Sequence, residues 1–450
     1  MTLPLDPPGF RHDVAGTTAA EWEQHLREAG APAAGDLTPY SRVVVLAPHP
    51  DDESLGAGGL MATAHALGLT VELVLCTLGE ASHPDSPTHT PQRLAALRRD
   101  EAVAALAELV PAATPTVLGL PDGGVAASEE ELVTRLVEVV GDGRATLLVA
   151  PWRHDGHPDH DAAGRAAATA AARTGAMLWE YPVWAWHWGR PDDAPWSRLH
   201  RLDLDPAARS AKRRAMAAHR SQVAPLSAQA GDETLLGPDL LAHFVRPSEH
   251  FVLEPLVDDA LDDLHADGAD PWGADSRWYE RRKRALLLAA LPRERFGRGL
   301  EVGASRGALA RDLATRCDRL LAVEQGAQAA ASAGERLVDL GHVEVRRAAV
   351  PDEWPEGRFD LVVVSEVGYF LSPLALDGLV ERLSSSLTDD GVVVLCHWRH
   401  PVEGWVLDGP DVHAVVRAAE ASVLPPVAAT YVDRDVELLV LAREWPEPTR

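Results

Sequence analysis

Two short stretches of this 450-residue chain crowd together side chains that can bind a cation and move a proton. The first, Ala47-Pro48-His49-Pro50-Asp51-Asp52-Glu53, holds one imidazole and three carboxylates within five positions. His49 offers a borderline-soft nitrogen and Asp52 a hard oxygen, a mixture that suits zinc. The second, Pro151-Trp152-Arg153-His154-Asp155-Gly156-His157-Pro158-Asp159-His160-Asp161, repeats the His/Asp theme a hundred residues later. A third stretch, residues 299–307 (GLEVGASRG), has a different chemistry. Its small residues let a nucleotide-type ligand approach the backbone, and Glu324, 23 residues after Glu301, can accept both hydroxyls of a ribose. The plain alternative for Asp51 and Asp52 is capping of the helix that follows them.

Each His/Asp loop has an element on either side that would position it. Residues 42–46 (RVVVL) and 144–150 (RATLLVA) are apolar without alternation, as strands buried on both faces are. Residues 54–67 and 162–173 read as the helices after them. In an open α/β sheet such loops lie at the carboxyl edge, where ligands bind, and two of them can converge on one ion. Residues 70–78 are a second strand that delivers Glu80 to the same edge. A helix over 91–110 and a strand over 116–120 lead to Pro121-Asp122-Gly123-Gly124, where Asp122 is a substrate contact or simply turn chemistry. Trp184, Trp186 and Trp188 alternate with period two, so on a strand they share one face. That face suits a sugar ring, although clustered aromatics more often build cores and interfaces. A helix over 205–222 and a strand over 244–254 complete this half.

Taken together, the two loops resemble the paired AHPDDE and HPDH signature of the LmbE-like or PIG-L-like N-acetyl-sugar deacetylases, with Ala47-Pro48-His49 in the first turn. The resemblance implies that His49, Asp52 and His160 bind Zn2+ or another divalent metal. It implies Asp51 as general base and His157 as partner of the oxyanion. Glu80 falls where that family carries a similar Gly-Glu. The implied substrate is a small N-acetylated, amino-sugar-like molecule.

Beyond residue 255 the composition changes. The acidic run at 255–270 (PLVDDALDDLHADGAD) has little to bury and reads as a linker. After a helix over 275–291, the Gly-rich turn resembles motif I of class I S-adenosylmethionine (SAM) methyltransferases, with Ser305 at the family's middle glycine. Glu301, Gly303, Ser305, Gly307 and Glu324 are the implied cofactor contacts. Strands over 358–366 and 391–397 and a hairpin over 427–442 extend the likeness, and nicotinamide-binding folds lack that hairpin. The strings at 270–273 (DPWG), 365–370 (SEVGYF) and 397–401 (HWRHP) resemble the nodulation-type N-methyltransferases, which methylate the free amine of a deacetylated chitooligosaccharide. Glu366, Tyr369 and His397 are candidates for the base or for substrate contacts.

The expected architecture is α/β, with two Rossmann-like three-layer α/β/α domains at 1–255 and 272–450 and a linker at 256–271. The expected activity is hydrolysis of an N-acetyl group followed by SAM-dependent methylation of the exposed amine. Two alternatives stand beside it: a SAM-binding scaffold without catalysis, and two sites with unrelated substrates. A formal net charge of -26 argues against nucleic acid and anionic membrane as partners. The first eight residues have no basic region or apolar core, and no apolar run approaches the roughly 20 residues that span a bilayer. Cys76, Cys317 and Cys396 are far apart in apolar segments, as buried thiols in a reducing compartment are, and cytoplasm is the expected location. The oligomeric state is open, a homo-oligomer included.

Overall fold

The computed structural model describes residues 16–256, 258, 260–265, 270–420 and 422–445. The amino-terminal residues read for a targeting signal, and linker positions 257, 259 and 266–269, lie outside the described residues. The chain divides into two compact units whose main boundary lies at residues 257/258, with Arg173–Gly175 counted in the second.

The first unit is built on a seven-stranded sheet: β1 (Arg42–Ala47), β2 (Thr70–Leu75), β3 (Thr116–Val117), β4 (Thr146–Pro151), β5 (Met177–Tyr181), β6 (Leu199–Asp203) and β7 (Ser248–Val252). Their spatial order is β3-β2-β1-β4-β5-β7-β6. Val43, Val44, Val45 and Leu46 are wholly buried, so the unbroken apolar run does mark a strand covered on both faces. Register positions the site. Arg42 of β1 pairs in parallel with Thr70 of β2 on one side and Thr146 of β4 on the other. The loops after β1, β2 and β4 therefore leave the sheet at one level.

The second unit repeats this plan with β8 (Phe296–Val302), β9 (Cys317–Glu324), β10 (Val343–Arg347), β11 (Phe359–Ser365), β12 (Leu387–Trp398), β13 (Val427–Val432) and β14 (Val436–Ala442). The order is β10-β9-β8-β11-β12-β14-β13. Alternate residues of β11 fill two cores, Val362 and Val364 on one face and Leu361 and Val363 on the other. In both sheets the next-to-edge strand, β7 or β14, runs opposite to the other strands. Both units are thus mixed α/β sheets with helices on their faces. All three cysteines are buried and free. No helix among the described residues is long and apolar enough to cross a membrane.

Two local expectations are corrected. The helix expected over 54–67 is two helices, Asp52–Gly56 and Gly58–Ala66, broken at Ala57 (φ −134°, ψ 7°). Tyr181 packs so closely that a Cβ on Gly56 would lie 2.1 Å from its ring. The Trp184, Trp186, Trp188 strip is not a strand. Trp184 caps a single helical turn, Ala185–Trp188. The cause is Asp155, whose carboxylate accepts the backbone N–H groups of Val183, Trp184 and Ala185 at 2.8–3.0 Å and turns the chain as it leaves β5. Trp186 is buried edge-on against Trp22, whereas Trp184 stacks on Trp188, four residues on.

Candidate active sites

The loop after β1 carries unusual backbone geometry. Asp51 has φ 129°, a region that residues with a Cβ rarely adopt, and such strain persists only where the surroundings enforce it. Glu53 does the enforcing. Its Oε2 accepts the Asp51 N–H at 3.1 Å, and its Oε1 meets His219 Nε2 at 3.1 Å. Arg98 completes the brace by donating to the carbonyls of Pro50 and Gly79 at 2.8 and 2.9 Å, with Nη2 3.4 Å from Asp51 Oδ2. Burial pushes the Asp51 carboxyl up to about 7, against the pull of Arg98.

His49, Asp52 and His160 meet beside it. Asp52 Oδ2 lies 3.2 Å from His49 Nδ1 and 3.2 Å from His160 Nε2. The ligand atoms of these three residues all fall within 4.8 Å of one another, and so do those of a second group, His49, Asp122 and Asp159. The ring nitrogens discriminate between the two groups. His160 Nδ1 donates to Asp155 at 2.8 Å, which leaves its buried Nε2 without a hydrogen-bond partner. His49 Nε2 faces Asp122 and Asp159 at 3.2 Å each, and Asp159 also accepts the N–H groups of Gly123 and Val125. A metal-binding histidine ordinarily gives its second nitrogen to a carboxylate. The first group meets that rule at both histidines and uses the orphaned His160 Nε2, so its donors fit a divalent ion. Asp122 and Asp159 then act as backing for His49. Burial alone would lower the His160 pKa, but Asp52 and Asp155 outweigh it and raise it to about 9.

His157 has a defined tautomer. Its Nδ1 accepts the Asp159 N–H at 3.1 Å, so its ring proton is on Nε2. Burial, with His160 and His49 close by, pushes its pKa down to about 2 and keeps it neutral. A neutral Nε2–H donor suits an oxyanion. Glu80 and Asp122 clasp each other's loops: Glu80 Oε1 accepts the Asp122 N–H at 3.1 Å, and Asp122 Oδ2 accepts the Ala81 N–H at 2.7 Å.

In the second unit the turn after β8 is the feature that admits a ligand. Gly303 and Gly307 have φ 73° and 74°, and a Cβ on Gly303 would lie 1.9 Å from Val367. Glu324 accepts the Ser305 N–H at 2.7 Å through Oε2 and the Gly326 N–H at 2.9 Å through Oε1, so its carboxylate stands at the mouth of the turn. Glu301 is buried with Oε2 unpartnered; burial, then Glu324, raises its pKa well above the carboxylate range. An orphaned buried carboxyl beside a glycine cradle and a strand-end acid fits a nucleoside-type cofactor.

The comparisons with known proteins fall on these same two places. The family GlcNAc-PI de-N-acetylase (PIG-L) matches residues 44–171, and the family Nodulation protein S (NodS) matches residues 257–407. The chain joins a PIG-L deacetylase domain to a NodS-like methyltransferase domain. Over 158 residues it is 38% identical to 1D-myo-inositol 2-acetamido-2-deoxy-alpha-D-glucopyranoside deacetylase of Streptomyces avermitilis, covering 30% of this chain and 53% of that one. Over 107 residues it is 34% identical to Nodulation protein S of Rhizobium tropici, covering 24% and 45%. The chain thus spans about half the length of these curated relatives. Among solved structures it resembles N-methyltransferase NodS from Bradyrhizobium japonicum in complex with S-adenosyl-L-homocysteine, at 22% identity and TM-score 0.37, covering 40% and 96%.

In the NodS-like domain Glu366 ends β11 in left-handed backbone (φ 58°), next to the Val367 that packs on the glycine turn. Tyr369 donates to its Oε2 at 2.5 Å and Tyr279 to its Oε1 at 3.3 Å, with Lys283 Nζ 3.7 Å from Oε1. Phe370, Trp405, Trp272 and Trp398 lie around these residues in edge and tilted contacts. His397 is placed differently from Glu366 and Tyr369. It is wholly buried, its Nε2 accepts the Gly368 N–H at 3.2 Å, and its Nδ1 meets His413 Nε2 at 3.1 Å. Both of its nitrogens are engaged inside the fold, unlike the carboxylate of Glu366.

Three residues of the PIG-L domain have no role assigned from the sequence. Asp155 and Asp159 back the two histidines, and Arg98 braces Asp51. Asp155 and Asp159 sit inside the second His/Asp loop, and that proximity was the only signal available. For Arg98, on the helix Pro91–Leu109, the sequence carried none.

Proposed function

We propose that this chain is a bifunctional enzyme. Its PIG-L domain hydrolyses the N-acetyl group of an amino-sugar-like substrate, and its NodS-like domain methylates the amine so exposed. The observation that carries the reading is the convergence of His49 Nδ1, Asp52 Oδ2 and His160 Nε2, each histidine backed by a carboxylate, beside the strained Asp51. The names of the relatives, which deacetylate glucosamine-type amides, support the substrate class.

His49, Asp52 and His160 would hold a divalent ion, zinc by its donor set, which when bound lowers the pKa of water to about 7 and polarises a carbonyl. Asp51 takes a proton from the attacking water and returns it to the leaving nitrogen. His157 Nε2–H donates to the oxygen that gains charge. Arg98 and Glu53 hold Asp51 in its strained conformation.

In the NodS-like domain Glu301, Glu324 and the turn from Gly303 through Ser305 to Gly307 would hold SAM, whose sulfonium supplies an electrophilic methyl group. Here the protein's task is to hold a neutral amine in line, which is catalysis by orientation. Glu366, beside the Val367 that packs on the turn and flanked by Tyr369, would hold the amine and receive its proton. An amide nitrogen has its lone pair delocalised into the carbonyl, whereas a freed amine does not. The first reaction therefore makes the nucleophile the second needs.

Mass spectrometry of products from a panel of N-acetylated sugars, with and without SAM, tests the reading. The expected products are a free amine without SAM and an N-methylamine with it. Normal methylation of a still-acetylated substrate by Asp51→Asn protein would show that the two sites do not act in sequence.

A further inference from the structure

A cavity in the PIG-L domain, lined by none of the candidate site residues described above, has several basic side chains in its wall. Its wall includes Trp186, Lys212, His243, Arg246, Glu249 and His250. Lys212 and Glu249 cancel. Glu249 accepts from Lys212 Nζ at 2.6 Å and from the N–H groups of Gly59 and Leu60 at 2.7 and 2.8 Å. Among the described residues Arg246 has no such counterion. It is 6% exposed, its Nε has no hydrogen-bond partner, and the carboxylate that acts on it, from a distance, is Glu23.

What does touch Arg246 is neutral. Its Nη2 donates to His243 Nδ1 at 3.1 Å, so that nitrogen is an acceptor and the ring carries no charge. Its guanidinium lies 4.8 Å from the centre of the Trp186 ring, a cation–π contact that recovers part of the cost of burial. Burial and then Arg246 push the pKa of His243 down to about 4 and that of His250 to about 3, so neither adds charge at neutral pH. Among the described residues the wall therefore holds one positive charge without a counter-charge, and Arg246 Nε–H without an acceptor. Burying an unpaired ion is costly, and such charges in folded proteins are paired.

We propose that this cavity binds one small monovalent anion of halide size, held by Arg246 Nε–H and the remaining N–H groups of Lys212. Size selects the class. The cavity measures about 20 Å³, room for one water-sized body. The anion supplies the missing counter-charge and ties the strand end at β7 to the helix Pro206–Ala218 that carries Lys212.

Crystals of the full chain grown in bromide test this directly, since bromide stands in for chloride and scatters anomalously. The expected result is an anomalous peak within hydrogen-bond reach of Arg246 Nε. In solution, chloride should raise the unfolding midpoint above that in gluconate of equal ionic strength, by a few degrees at ten times the dissociation constant. Acetate should behave as gluconate does, and Arg246→Met should remove the difference. No bromide peak in the cavity, together with equal midpoints in chloride and gluconate, overturns the proposal and assigns the space to water. If Arg246→Met does not fold, the wild-type bromide map alone decides.

Discussion

Asp155 Oδ2 accepts the Nδ1–H of His160 at 2.8 Å, and that bond aims His160 Nε2 at Asp52, 3.2 Å away. The same carboxylate gathers three backbone N–H groups from the chain leaving β5. One side chain thus orients a candidate ligand and shapes the loop that carries Trp184 to the His157 ring, 6.4 Å away.

Removing the charge of Asp155 while keeping its shape should therefore weaken metal binding without unfolding the domain. Asp155→Asn is expected to lose about 10–100-fold in affinity for zinc, the usual effect of removing a partner behind a ligating histidine. Competition with a chromophoric chelator measures it, with circular dichroism as the control for folding. Unchanged affinity would detach His160 from the ligand set.

In the proposed function Asp51 acts as a base and not as a ligand. Asp51→Asn should keep stoichiometric metal while deacetylation falls roughly 10²–10⁴-fold. Elemental analysis beside a rate measurement on one preparation separates the roles, because a ligand would lose both. His160→Ala is the counterpart and should lose the metal.

Ser305 occupies left-handed backbone at φ 47°, the position where the resemblance would have a glycine. Left-handed backbone costs a residue with a Cβ roughly 1–2 kcal/mol. Ser305→Gly should stabilise the NodS-like domain by about 1 kcal/mol in urea unfolding and still bind SAM in calorimetry. Gly303→Ala should do the opposite, since its Cβ would strike Val367, and SAM binding should be lost. Equal stability of Ser305→Gly and wild type would argue against strain at this turn.

Buried neutral histidines set a dependence of stability on pH. Burial pushes His250 and His413 down to about 3 each, the first helped by Arg246 and the second by Arg417. Between pH 6.5 and about 3 the unfolded chain binds a proton at each that the folded chain refuses. The stability these two histidines contribute is therefore full above pH 6.5 and falls as the pH drops, by up to about 1.4 kcal/mol per pH unit for each. Urea midpoints from pH 7.5 to 5 should fall accordingly, and His250→Gln should flatten the slope for the PIG-L domain. The same slope in the variant would assign the effect to other groups.

Much of this protein was legible in one dimension. Strands such as β1 and β4 announce themselves because a strand covered on both faces admits only apolar residues, and the loops behind them announce themselves because so many His and Asp side chains rarely cluster without a task. The terminal hairpin of the second sheet was equally visible in two apolar runs around Asp433-Arg434. Contacts between distant residues were not legible. That Asp155 would turn Trp184, Trp186 and Trp188 out of a strand depends on a carboxylate 28 to 30 residues away in the chain. The brace of Arg98 on Asp51 spans 47 residues, and the two nitrogens that close off His397 come from separate elements. Periodicity and composition record the local environment a residue needs, so they determined the strands, the edge loops and the ligand types. Which nitrogen faces which carboxylate, and which buried cation lacks a partner, is decided by how separate elements pack, and only the tertiary structure contains that.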